Sequence, residues 1–161
     1  MRRLLAGFAV LGVLAIAGVG SWMWLGRSNA DGTVSAERIA IGRSLYAEHC
    51  ASCHGANLEG QPNWRKRLLN GRMPAPPHDA SGHTWHHTDE ALFRVTREGS
   101  AAVAGRGYES DMPGFGDVMT DDEIKAVLAF IKSTWPERIR KAQEQRGAAK
   151  QEASHNRKAR L

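Results

Sequence analysis

Cys50-Ala51-Ser52-Cys53-His54 is the most informative motif of the 161-residue chain, and it contains both of its cysteines. Three kinds of site use a C-x-x-C pair: a thioredoxin-like redox pair, half of a zinc site, and the C-x-x-C-H attachment site of a c-type haem. A redox pair would follow a β-strand, and no strand-like alternation precedes Cys50. A zinc site needs two further ligands, which the histidines at 83, 86 and 87 leave possible.

The histidine that directly follows the second cysteine favours haem attachment. Two thiols one helical turn apart are placed to form thioether bonds with the two vinyl groups of one haem. The next residue, His54, then lies under the ring and coordinates the iron. The motif therefore predicts one covalently bound haem c, held by Cys50, Cys53 and His54.

Helical patterns flank the motif on both sides, and no segment looks like a strand, so we expect an all-α fold. A helix is predicted over residues 35–49. Ile41 and Leu45 lie one turn apart in it, as do Gly42 and Tyr46, and the four form an apolar stripe.

The last core helix begins with the capping box Thr120-Asp121-Asp122-Glu123. Its buried face follows the i, i+3, i+4, i+7 pattern and consists of Ile124, Val127, Leu128 and Ile131. Trp135-Pro136 ends this pattern. A shorter helix is predicted over residues 88–98, and one more turn near residues 64–69.

In this order, these features resemble the class I (monohaem, His/Met-ligated) c-type cytochromes over residues 35–135. The resemblance implies several short helices wrapped around one haem, with Phe130 packed near Tyr46. It also implies one-electron transfer between membrane or periplasmic redox proteins, with no catalysis and no small-molecule substrate.

Two methionines precede prolines and are candidates for the second axial ligand. Met112 lies in Asp111-Met112-Pro113-Gly114-Phe115, before the capped helix, and is similar in sequence and position to the distal methionine of this family. Met73 lies only 19 residues after His54, in a proline-rich loop. We therefore expect His54 and Met112 to ligate the iron.

Other residues are candidates for supporting the haem. In related cytochromes a proline carbonyl accepts a hydrogen bond from the ligating histidine, and Pro62 is the candidate here. Trp85 is a candidate haem-binding donor because its indole carries an N–H and no acceptor. Basic candidates for the propionates are Arg65, Lys66, Arg67 and Arg72.

The histidines His78, His83, His86 and His87 form an unusual cluster. One interpretation is a set of polar loop residues near the propionates, and another is a copper site whose redox state the haem changes. A copper-handling protein is therefore one alternative function. A haem enzyme or gas sensor with a labile sixth site is another.

The N-terminal segment, residues 1–27, contains 22 uncharged residues from Leu4 to Leu25 after Arg2 and Arg3. A helix of that length covers roughly 33 Å, enough to cross a bilayer. We expect a signal-anchor in the bacterial inner membrane, a linker over residues 28–34, and the haem domain on the periplasmic side. Cleavage and release into the periplasm is the alternative.

Composition excludes a wholly disordered chain, a collagen and a polytopic membrane protein, and the charge distribution does not indicate a nucleic-acid-binding protein. The chain is 42% hydrophobic and 24% charged, typical of a folded globular protein. The net charge of the chain is +5. Residues 136–161 contain 8 basic and 3 acidic groups, so this segment is strongly basic. No nucleic-acid-binding motif accompanies this basic tail. We expect a solvated tail with no apolar face to bury, helical at most to Lys150 and disordered beyond.

Overall fold

The computed structural model describes residues 34–160, and every regular element in that range is a helix. The all-α prediction is therefore confirmed for this part of the chain. In chain order the helices are α1 (Ala36–His49), α2 (Ala51–His54), a 3₁₀ turn (Thr84–His86), α3 (Asp89–Glu98), α4 (Ser100–Ala104), α5 (Asp121–Ser133) and α6 (Glu137–Lys158).

The core is organised around the crossing of α1 and α5. Gly42 is buried where the helices meet, and a Cβ atom there would collide with the carbonyl oxygen of Ala126. One turn later, Tyr46 packs on Phe130 with ring centroids 5.5 Å apart, as predicted. The predicted apolar stripe is only partly right, because Ile41 is 47% exposed while Gly42 and Tyr46 are buried.

Helix α5 begins as its sequence predicts. The Thr120 hydroxyl accepts a hydrogen bond from the Glu123 N–H, and the Glu123 carboxylate accepts one from the Thr120 N–H at 2.8 Å. This capping box satisfies donors that the first turn would otherwise leave free. The buried residues of α5 are Ile124, Ala126, Val127, Phe130 and Ile131, while Leu128 is only partly buried.

Helix α6 differs from the predicted tail. It continues to Lys158, and it buries Ile139 (8% exposed) and Gln143 (1% exposed). The Gln143 side-chain N–H group donates to Asp89 Oδ1 at 2.6 Å and to the His87 carbonyl at 3.2 Å. The prediction failed because two side chains spaced four residues apart are enough to dock a helix, and one of them is polar.

Within residues 34–160, no helix combines the length and the apolar character that a membrane span requires. The signal-anchor predicted for residues 1–27 lies outside the described residues.

The crossing at Gly42 is testable by substitution. We expect Gly42→Ala to destabilise the protein by about 3 kcal/mol or more, because the added carbon meets backbone atoms that cannot rotate away. Gly147→Ala is the matched control, since Gly147 lies in α6 with no atom within 4 Å of its added Cβ. There we expect a gain of up to about 1 kcal/mol from helix propensity. Urea unfolding measures both, and equal effects of the two changes would contradict the close crossing.

Candidate functional site

The C-x-x-C-H motif continues from α1 as a turn of helix. The Cys50 N–H donates to the Tyr46 carbonyl at 2.9 Å, and the His54 N–H donates to the Cys50 carbonyl at 2.9 Å. The Tyr46 hydroxyl reaches past the motif and donates to the Gly55 carbonyl at 2.9 Å. The motif is therefore fixed at both ends by one residue of the core.

The two cysteines of the motif do not form a disulfide, and Cys50 is partly buried while Cys53 is exposed. Two thiols on one helical turn match the two attachment points of a c-type haem.

His54 is buried, 7% exposed, and its ring is oriented by one hydrogen bond. Its Nδ1 lies 2.8 Å from the Pro76 carbonyl oxygen, which can only accept, so Nδ1 carries the proton. Burial lowers the pKa of His54, and the Pro76 carbonyl opposes this to a smaller degree. The ring is therefore a neutral imidazole with a lone pair on Nε2, the form that binds a metal.

The carbonyl on His54 belongs to Pro76, so the prediction that Pro62 supplies it is wrong. The residue beside Pro62, Gln61, instead pairs with Ala75 through two hydrogen bonds of 2.9 Å. Gly60 turns the chain with a φ of +69°, which brings the Ala75–Pro77 segment against it. The run Met73-Pro74-Ala75-Pro76-Pro77 was the available signal, because such a run is stiff and extended.

His78 contacts the face of His54. The two rings are nearly parallel, with centroids 4.0 Å apart and planes inclined by 21°. His78 Nδ1 lies 2.8 Å from the Thr84 hydroxyl. Burial, together with the neighbouring His54 and His83, lowers the pKa of His78 to about 3, so this ring is neutral at physiological pH.

Met112 lies in the loop between α4 and α5 and is partly buried. The Ser100 hydroxyl donates to its Sδ at 3.2 Å, and its own N–H donates to the Ser110 hydroxyl at 3.1 Å. Further along, the Phe115 N–H donates to the Thr96 carbonyl at 3.0 Å, which fixes the loop to the end of α3.

Trp85 carries an orphaned donor. Its ring packs against the hydrophobic core, and its Nε1–H is buried without a hydrogen-bond partner among the described residues. Such a group is destabilising unless an acceptor forms a hydrogen bond with it. A carboxylate of a bound cofactor would satisfy it.

The basic candidates have other contacts in the structure. Arg72 pairs with Glu109 at 3.4 Å and with Asp111, which precedes Met112. Arg67 donates to the Gly71 carbonyl at 2.6 Å, and the Arg65 guanidinium lies 4.1 Å from the Trp64 ring centroid. Lys66 is exposed. Arg65, Arg67 and Arg72 therefore contact partners within the protein.

The exposed histidines do not form the metal site that was one interpretation of their cluster. In the described part of the chain, no group of three or more His, Cys, Asp or Glu side chains is arranged to hold a metal ion. His83 stacks on Trp64 at 5.3 Å, and His86 lies against Trp85 at 3.8 Å. His87 meets His83 edge to face. Aromatic contacts therefore orient these rings, and the copper and zinc interpretations are unsupported.

The chain is similar in sequence to known proteins. A family model described as "Cytochrome c" matches residues 39–135. The chain is 24% identical over 140 residues to a protein named nitrite reductase from Stutzerimonas stutzeri, covering 83% of this chain and 20% of that protein. It is 23% identical over 96 residues to the cbb3-type cytochrome c oxidase subunit FixP of Sinorhizobium medicae, covering 59% and 29%. The chain thus spans less than a third of either relative.

The contact between Gly60 and the segment that holds His54 is testable. In Gly60→Ala the added carbon would lie 2.5 Å from the Pro77 nitrogen, so we expect the Pro76 carbonyl to move away from His54. Gly71→Ala is the control, because Gly71 has a similar φ of +82° but nothing within 4 Å.

Both substitutions should cost about 1–2 kcal/mol from backbone conformation, and Gly60→Ala more. Unfolding measures the difference, and the NMR resonance of the His54 Nδ1 proton should shift in Gly60→Ala alone. An unshifted resonance would argue against the contact.

Proposed function

Since the chain belongs to the cytochrome c family, with a haem bound covalently at Cys50 and Cys53, we propose that it carries single electrons with His54 and Met112 as axial ligands. When bound, the haem iron supplies the one-electron chemistry by alternating between its ferrous and ferric states. The protein's task is to hold the haem, fix its two axial ligands and keep water away.

The observation that carries this proposal is the way Met112 is held. A thioether sulfur has two lone pairs, and the Ser100 hydroxyl uses one of them at 3.2 Å. The second remains available to a metal. Arg72 holds the same loop from its other side through Glu109 and Asp111. The fold thus orients the sulfur through its contact with Ser100, which supports Met112 as the second axial ligand.

The buried Trp85 N–H supports a haem whose propionate lies beside Trp85. A propionate is anionic and accepts hydrogen bonds, so it would satisfy the orphaned Nε1–H. The Arg146 guanidinium lies 5.9 Å from the centroid of the same indole ring. We therefore assign Trp85 to a propionate.

The setting of this electron carrier is also proposed. The uncharged segment within residues 1–27 would anchor the chain in the bacterial inner membrane, with the haem domain on the periplasmic side. Its partners would be other membrane or periplasmic redox proteins. The basic residues of α6, which include Arg138, Arg140 and Lys141, would favour acidic partner surfaces.

Methionine ligation is tested by the optical spectrum of the haem-loaded protein, oxidised and reduced, with and without carbon monoxide. The wild type should be low-spin, show a methionine–iron charge-transfer band, and not bind carbon monoxide. Met112→Ala should lose the band and bind carbon monoxide, because it removes the sulfur that closes the site. Met73→Leu is the matched control and should keep the wild-type spectrum.

Two results would contradict methionine ligation by Met112. A high-spin wild type that binds carbon monoxide would favour the haem enzyme or gas sensor with a labile sixth site. Loss of the band in Met73→Leu, with Met112→Ala unchanged, would move the ligand to Met73.

The assignment of Trp85 predicts a change in reduction potential. Trp85→Phe keeps the aromatic packing but removes the N–H, so the propionate charge would be less compensated and the ferric state favoured. We expect a lower midpoint potential and a stronger dependence on pH. Trp64→Phe, which alters an indole stacked on His83, is the control. Equal potentials for wild type and Trp85→Phe in a redox titration would refute the assignment.

A further inference from the structure

His78 and Pro76 belong to one short segment that contacts His54 at two different points. The Pro76 carbonyl accepts from the edge of the His54 ring, at Nδ1. The His78 ring covers one face of His54 at a centroid distance of 4.0 Å. A single hydrogen bond leaves a ring free to swing about the line of that bond. A second aromatic plane in contact with its face removes this freedom.

His78 is itself held on several sides. Its N–H donates to the Leu58 carbonyl at 2.8 Å, and its carbonyl accepts from the Trp135 indole N–H at 2.8 Å. Its ring meets the Tyr46 ring edge to face at 6.3 Å. The backbone of His78 is therefore tied to the core.

Thr84 fixes the ring of His78. The Thr84 hydroxyl donates to the Pro77 carbonyl at 3.4 Å, so its oxygen is left to accept from His78 Nδ1–H at 2.8 Å. Thr84 is buried, 6% exposed, and begins the 3₁₀ turn. The stacking plane of His78 is thus set by the fold and not by contact with His54 alone.

We propose that His78 is a positioning residue whose stacked ring sets the plane of the His54 imidazole, and so its rotation about the bond to the iron. The inference rests on the proposed function only in taking His54 as an axial ligand. The rotation of an axial imidazole determines how its π-orbitals overlap those of the iron. A change in this rotation therefore changes the magnetic spectrum of the ferric protein. Substitution of a residue that only fills space would leave that spectrum unchanged.

The experiment compares haem-loaded variants by ferric electron paramagnetic resonance and by the paramagnetic NMR shifts of the haem methyl groups. His78→Leu fills the space with an apolar side chain but removes the ring plane, so we expect shifted or broadened g values and a changed order of methyl shifts. His78→Phe restores a flat ring but not the hydrogen bond to Thr84, so both spectra should lie between those of His78→Leu and the wild type. His83→Leu is the matched control, because its ring stacks on Trp64 and not on His54.

Thr84→Val tests the same idea without removing the imidazole. It removes the hydrogen bond that holds the ring of His78, so a spread of g values is expected. If His78→Leu does not accumulate as folded protein, Thr84→Val is the variant compared with the wild type. The proposal would be overturned if His78→Leu had the g values and methyl shifts of the wild type. The same result in Thr84→Val would overturn it where that variant replaces His78→Leu. So would a His78→Phe spectrum no closer to wild type than that of His78→Leu.

Failure of the proposed function would look different. A high-spin wild type would place the fault at the sixth ligand, before any variant at position 78 is compared. The inference about His78 concerns only the differences between variants and wild type on the His54 side.

Discussion

The close crossing of α1 and α5 at Gly42 positions both the core and the C-x-x-C-H motif. Without a side chain at Gly42, the backbone of α1 contacts that of α5 at Ala126. That contact sets Tyr46, one turn later, against Phe130 and lets its hydroxyl reach the Gly55 carbonyl. The motif between them has no independent freedom. The position of His54 is therefore a consequence of how two helices pack.

The second support of His54 also leads back to α5. Trp135 follows that helix directly, and its indole N–H holds the backbone of His78. His78 and Pro76 in turn contact the face and the edge of the His54 ring. One helix thus orients the imidazole by two separate routes, the first through the core and the second through a loop. Loops gain this precision only when a rigid element anchors them.

Local patterns made much of the fold and part of the site predictable from sequence. The C-x-x-C-H motif, the capping box at Thr120 and the helices on either side are encoded within a few residues, and the structure has them where expected. The partner of His54 was not predictable in the same way. Choosing between Pro62 and Pro76 requires the path of the loop, and that path depends on a turn at Gly60. The docking of α6 was not predicted, for a related reason. Gln143 is a polar residue held in place by hydrogen bonds, so its burial does not follow an apolar periodicity.

The two sides of the proposed haem site differ in how firmly they are held. His54 is fixed by contacts that are largely buried, such as its bond to Pro76 and its stack on His78. The Met112 loop is held by the Ser100 hydroxyl, by the backbone bond from the Phe115 N–H to the Thr96 carbonyl, and by Arg72. The two carboxylates that pair with Arg72 are 56% and 71% exposed. Exposed ion pairs contribute about 0–1 kcal/mol and weaken with salt. The ion pairs of the Met112 loop therefore add little to its stability, and that little falls as the salt concentration rises. On the proposed ligation, displacement of Met112 would leave the haem bound to Cys50, Cys53 and His54.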